Sequence, residues 1–197
     1  ELRGLTIEWR FINLSILNEE RDYDAEFPEG YRESHERGRR MLRVAASVRA
    51  AEGSGVMDPL YRAFGETIWQ RVAEAGTDFR SGVATVEHLT EVLALAGFDS
   101  GHAEAASDPS FDEVLRAETE VAVSRTGRDV GTPIITFGPP DGPSIFGPVI
   151  SSVPDTDEAC LELYEATLTL CRFSTFSELK RSNRPMLDLP LLTGRAD

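Results

Sequence analysis

The chain has 197 residues, a formal net charge of −14, 41% hydrophobic and 27% charged side chains. This is ordinary globular composition, and the length suits one domain or one domain carrying a large insertion. The acidity excludes the basic face that nucleic-acid binding needs, and no apolar run of about 18 residues offers a membrane-spanning helix.

Taken in chain order, residues 5 to 11 alternate: Leu5, Ile7, Trp9 and Phe11 are apolar, and Thr6, Glu8 and Arg10 polar. The pattern predicts a strand with one buried face. From about 30 to 127 the period becomes helical. Helices are expected over 31–51, ended by Gly53 and Gly55, and over 58–74, with Leu60, Phe64, Ile68 and Val72 on one stripe. A third covers 84–96, with Val86, Leu89, Val92 and Leu93 inward and Gly97 as C-cap. A short one covers 100–107, and Asp108-Pro109 opens a last helix reaching about 126. The period then returns to strand at 133–137 and 144–150, joined by the hairpin loop Gly138-Pro139-Pro140-Asp141-Gly142-Pro143. Asp155 and Glu158 read as the cap of a helix over 156–172 that buries Cys160, Leu163, Tyr164, Thr167, Leu170 and Cys171. The tail from Asn183, with prolines at 185 and 190, is expected to be extended.

In the order strand, helical block, strand, hairpin, strand, helix, the closing strand-hairpin-strand-helix is the second half of a thioredoxin-type fold, and a helical block inserted between the two halves is the DsbA arrangement. That makes the expected class α/β, thioredoxin-like of the DsbA type, with an inserted all-helical domain. The expected divisions are 1–27 and 128–182 for the thioredoxin-like part, 28–127 for the insertion and 183–197 for the tail. Thr132-Pro133, after Gly131, opens the first strand of the hairpin. X-Pro bonds are the usual site of cis peptides, and a cis bond here turns the Thr132 backbone outward, where an extended thiol substrate can pair with it like an added strand.

Cys160 and Cys171 lie eleven residues apart in one predicted helix, roughly 16 Å along its axis, whereas a disulfide needs Cα atoms within about 7 Å. They read as small buried hydrophobes, and a reducing cytoplasm is the expected compartment. No metal-ligand cluster is visible, and Glu1-Leu2-Arg3 does not read as a signal peptide. The arginines at 37, 39, 40 and 43 are expected to form a solvated helix face paired with nearby acids.

The segments "NLSILNEERD", "EGYRE", "DPLYRAFG", "DVGTPIITFG", "FGPVISSVP" and "FSELKR" resemble, in order and spacing, the DsbA-like actinobacterial family that includes mycothiol-dependent nitroreductase. Broader relatives are the FrnE-type oxidoreductases and the 2-hydroxychromene-2-carboxylate isomerases. The resemblance implies thiol-disulfide chemistry with a low-molecular-weight thiol, mycothiol or similar, as co-substrate and no tightly bound cofactor. It implies a C-x-x-C pair whose first cysteine is a thiolate stabilised by a helix N-terminus. It also matches Gly131, Thr132 and Pro133 to the cis-proline loop, and Asn18 and Tyr31 to positions flanking the substrate cleft. Trp69 stands where the relative has a histidine.

The family's first strand and C-x-x-C precede the segment that aligns with Leu5, so the nucleophile is expected upstream of Glu1 and no catalytic residue is assigned from 1 to 197. The expected partners are the small thiol and a small-molecule or disulfide substrate, in a monomer or homodimer without nucleic acid or membrane. Two other readings stand beside the reductase: an isomerase-like enzyme that uses glutathione-type thiol as cofactor, and a non-catalytic partner-binding module.

Overall fold

A computed structural model describes residues 2–72, 79–183 and 185–194. They are mostly helical, with one two-stranded sheet. The chain divides into two compact units, Glu8–Glu120 with Leu189–Asp197, and Glu1–Ile7 with Val121–Asp188.

The first unit is helical. Its elements are α1 (Leu14–Leu17), α2 (Tyr23–Glu26), α3 (Tyr31–Glu52), α4 (Met57–Ile68), α5 (Phe79–Gly82), α6 (Val86–Ala96) and the start of α7 (Asp112–Thr126). A 3₁₀ segment, Ser100–Ser107, packs against α3 and α6. Its small buried residues Ala103, Ala105 and Ala106 let backbones come close. In α6, Leu89, Val92 and Leu93 lie inward at helical spacing, and with Leu60 of α4 and Leu115 of α7 they form the sealed centre of the core. Each such leucine contributes roughly 1.5–3 kcal/mol by leaving water.

Local capping sets the ends. Thr85 accepts the His88 N–H at 3.2 Å, and Gly97 closes α6 at φ 81°, a left-handed turn that favours glycine. Asp108 accepts the Ser110 N–H at 2.8 Å, and Pro109 follows at the first position of a 3₁₀ turn leading into α7. The expected helix 58–74 stops earlier. α4 ends at Ile68, capped by Trp69, whose carbonyl accepts Leu191 N–H at 3.1 Å; residues 73 and 74 lie outside the described residues. Its buried stripe is Met57, Leu60, Ala63 and Thr67, leaving Val72 exposed, and Val86 at the first turn of α6 is exposed too. The tail is not wholly extended either: Pro190 is buried and opens a helical turn, α9 (Pro190–Thr193).

Residues 4–13 are not a strand. Leu5 and Ile7 are exposed, while Phe11 is buried and Trp9 stacks on Tyr61 with centroids 4.6 Å apart. Strand backbone needs a ladder, and here side chains of α7 replace it: Glu118 accepts the Phe11 N–H at 2.7 Å and Thr119 Oγ1 the Asn13 N–H at 3.0 Å.

The second unit holds β1 (Ile134–Thr136), β2 (Ser144–Phe146) and α8 (Asp157–Cys171). The strands pair antiparallel, Ile134 opposite Phe146 and Thr136 opposite Ser144, inside the two predicted runs. The loop closes through Phe137 N–H to the Pro143 carbonyl at 3.0 Å and Gly142 N–H to the Gly138 carbonyl at 3.1 Å. Gly142 is obligatory: a Cβ there would sit 1.7 Å from the Phe137 carbonyl oxygen. α8 is capped by Thr156, whose hydroxyl accepts the Ala159 N–H at 3.2 Å, rather than by Asp155. Of its six expected buried residues only Cys171 is fully buried, the others being half-buried.

Candidate functional site

The Gly131-Thr132-Pro133 loop leads directly into β1. The Thr132-Pro133 peptide is cis, as are Pro139-Pro140 and Gly147-Pro148. All three loop residues are exposed. The Pro133 carbonyl accepts Gly147 N–H at 2.9 Å, so the proline starts the hairpin and does not interrupt it. A Cβ on Gly131 would lie 3.2 Å from the Phe146 ring; glycine lets that ring close over the loop.

Asn18 and Tyr31 belong to the helical unit. Asn13 caps the start of α1 by accepting the Ile16 N–H at 2.9 Å, and Asn18 caps its end. The Asn18 side-chain amide donates to the Leu14 carbonyl at 2.8 Å, and the Asn18 backbone carbonyl accepts Arg21 N–H at 3.0 Å. Tyr31 is the first residue of α3, set by Gly30 in the left-handed region at φ 84° and half-exposed. Among the described residues no hydrogen bond or ring contact joins Asn18 to Tyr31.

What does join Tyr31 is an aromatic shell. Tyr23 stacks on Phe27 with centroids 4.7 Å apart, and Phe27 on Tyr31 at 6.0 Å. The His35 imidazole meets all three edge-on, at 5.5 Å from Tyr23, 5.8 Å from Phe27 and 5.8 Å from Tyr31. The Tyr23 hydroxyl lies 2.7 Å from His35 Nδ1. Burial raises the Tyr23 phenol and lowers the His35 imidazole, with Glu36 opposing the latter. A phenol that keeps its proton beside a neutral imidazole donates to Nδ1. Two guanidinium groups cap the shell: Arg21 lies 4.6 Å over Phe27 and Arg32 4.7 Å over Tyr23. Arg21 is also tied to Glu26, whose carboxyl it holds below its ordinary range. Beside the shell opens a cleft of about 260 Å³ lined by Tyr23, Phe27, Pro28 and Arg32, with Asp24 and Glu29 at its walls.

Sequence reasoning missed Tyr23, Phe27 and His35. The available signal was an aromatic ring at every fourth position, 23, 27, 31 and 35. That spacing would lie on one face of a continuous helix, but Pro28 and Gly30 separate α2 from α3, so it takes a tertiary turn to bring the rings together.

The arginine cluster is paired with acids, as expected, and more deeply than a solvated face requires. Arg37 and Arg40 bond Glu33, at 3.3 and 2.7 Å, while Arg39 and Arg43 both reach Asp112, at 2.8 and 2.7 Å. The Arg43 guanidinium, then Arg39, holds the Asp112 carboxyl below its usual range. Both cysteines are free thiols: Cys171 is buried and its pKa raised by that burial, and Cys160 contacts the Pro154 carbonyl at 3.6 Å. A second cleft, of about 350 Å³, is lined by Thr67, Arg71, His88 and Glu91. His88 is satisfied there at both nitrogens, by Ala84 N–H at 3.2 Å and Thr67 Oγ1 at 3.0 Å. Trp69 is half-exposed at the end of α4.

The family model described as "Rv2466c-like: Mycothiol-dependent nitroreductase Rv2466c" matches residues 1–181. The aromatic shell, Asn18 and the Gly131-Pro133 loop all fall inside that match, which spans both compact units.

Proposed function

We propose, from the premise that this chain belongs to the Rv2466c-like family of mycothiol-dependent reductases, that it forms the substrate-binding body of a thiol-dependent reductase on a DsbA-like thioredoxin fold. The match over residues 1–181 carries the proposal. In this reading the electron source is a low-molecular-weight thiol, mycothiol or a close analogue, and the acceptor a nitroaromatic compound or a disulfide. The reacting thiolate in this reading belongs to a C-x-x-C pair, which residues 1–197 do not contain.

The chemistry asks three things of the protein. A thiolate must attack or be attacked through a mixed disulfide. The small thiol must be held with its sulfur in line, and the acceptor must lie against a surface that tolerates a flat, electron-poor ring. The exposed Gly131-Thr132-Pro133 loop suits the second task, because backbone N–H and C=O at the head of a strand can pair with an extended substrate. Tyr31 suits the third, offering a half-exposed aromatic face; Asn18, buried, caps the end of α1. For a nitro acceptor the electrons balance when two thiols become one disulfide and the nitro group becomes a nitroso group with release of one water.

The full-length protein tests this with mycothiol as sole reductant and a nitroaromatic probe such as nitrofurazone. Loss of the nitro absorbance with equivalent formation of mycothiol disulfide is expected. No turnover with mycothiol, together with isomerase activity on 2-hydroxychromene-2-carboxylate, would overturn it.

A further inference from the structure

α4 stops short of where its sequence would carry it, and the C-terminal tail sits at the stop. Helical periodicity runs from 58 to 74, with Val72 continuing the stripe of Leu60, Phe64 and Ile68. Neither glycine nor proline occurs from 70 to 75. Yet α4 ends at Ile68, Gln70, Arg71 and Val72 are not helical, and Val72 is left 44% exposed. α3 and α6 end on glycines with positive φ, Gly53 at 90° and Gly97 at 81°. α4 instead ends on Trp69 in right-handed backbone, a conformation that suits a helix continuing. What stops α4 is therefore not local.

The last carbonyls of a helix have no partner within it. The Trp69 carbonyl finds one in the tail, where Leu191 N–H donates to it at 3.1 Å. That N–H is an orphan too: it stands at the second position of α9, whose cap Leu189 makes no side-chain bond. Pro190 beside it is buried. The turn closes through Thr193 N–H to the Leu189 carbonyl and Gly194 N–H to the Pro190 carbonyl, both at 2.9 Å. α4 and residues 189–194 belong to the same compact unit, and the docked turn lies beyond the family match, which ends at 181.

We infer that the tail is a strap that ends α4. The Trp69 carbonyl accepts Leu191 N–H while the tail is docked; with the tail released it accepts the N–H four residues on, and α4 runs through Val72. The strap acts on the cleft of about 350 Å³, which is lined by Thr67 within α4 and by Arg71 beyond its end. Arg71 now bonds Glu91 of α6 at 3.1 and 2.7 Å. Both side chains are about half exposed, and such a pair holds the ended state only weakly. In an extended α4, Arg71 would stand one turn beyond Thr67 on the same helix face. The cleft keeps its present walls only while the tail is docked.

The test is made by NMR on the full chain, with Leu191→Pro as the perturbation. Proline removes the one donor and is tolerated in the first turn of a helix. In wild type the Cα shifts of Gln70, Arg71 and Val72 should be non-helical and the Val72 amide should exchange fast. In Leu191→Pro all three shifts should become helical, and Val72 exchange should slow by about tenfold or more. Adding Val72→Pro, which cannot continue a helix, should return Gln70 and Arg71 to non-helical shifts. Unchanged shifts in Leu191→Pro overturn the inference, as do helical shifts that survive Val72→Pro. Should Leu191→Pro fail to fold, a chain ending at Asp188 carries the test, with helical shifts expected at 70–72 and unchanged ones overturning it. If both fold and only the shortened chain turns helical, the exchange of partners at the Trp69 carbonyl is overturned.

Discussion

Replacing Glu118 by alanine should unfasten the segment that leads into the candidate cleft. Its side chain is only 10% exposed and bonds three partners. One oxygen accepts Phe11 N–H at 2.7 Å and Arg49 at 3.2 Å, and the other accepts Arg49 at 2.8 Å and Arg10 at 3.2 Å. Arg49 is itself 15% exposed and lies 4.0 Å over the Phe11 ring. The Arg10 bond contributes little, since that guanidinium is 62% exposed and such pairs are worth about 0–1 kcal/mol. The cost comes from the other two. A buried N–H bonded to a carboxylate is worth about 1.5–3 kcal/mol, and a buried arginine stripped of its counter-charge brings the total to about 3–5 kcal/mol. Glu118→Gln keeps an acceptor for Phe11 and should cost less, about 1–3 kcal/mol. Urea unfolding gives the total, and amide exchange localises it: Phe11 and Asn13 N–H should lose protection, the latter because it hangs on the adjacent Thr119. A loss below about 1 kcal/mol in Glu118→Ala, or unchanged protection at Phe11, would refute the view that α7 stands in for a ladder partner.

Leu89→Ala removes a fully buried side chain from the centre of the helical core and should cost about 2–5 kcal/mol in urea unfolding. His88 should make stability fall in acid. Burial lowers its pKa in the folded state, helped by Arg71 and opposed by Glu91, so its contribution is present above the unfolded value of about 6.5 and lost as pH falls through the folded one. His88→Gln should shrink that acid loss in a series of urea melts, and a loss of unchanged size would show that His88 is not its source. Gly142→Ala should open the hairpin, because the new Cβ would fall 1.7 Å from the Phe137 carbonyl oxygen. Amide protection at Phe137 and Gly142 should disappear, and retained protection would mean that the loop can rearrange.

The sequence by itself determined whatever depends on neighbours a few residues away. The turn at Gly97, the Asp108-Pro109 start, the inward run Leu89, Val92, Leu93 and the hairpin between residues 134 and 146 are all local, because helix periods, caps and tight turns are satisfied within one or two turns of chain. Family resemblance alone proposed Asn18 and Tyr31 as site residues, since nothing about an asparagine at a helix end or a tyrosine at a helix start is specific to a cleft, whereas the Gly131-Thr132-Pro133 loop was also singled out by its X-Pro bond at the head of a strand. Tertiary structure decided the rest. The alternation at 5–11 became irregular chain because a strand needs backbone partners, and at Phe11 and Asn13 those partners are side chains more than a hundred residues away. Likewise, rings at 23, 27, 31 and 35 form one shell only because the turn at Pro28 and Gly30 folds two helices against each other, placing His35 where no pattern in the sequence puts it.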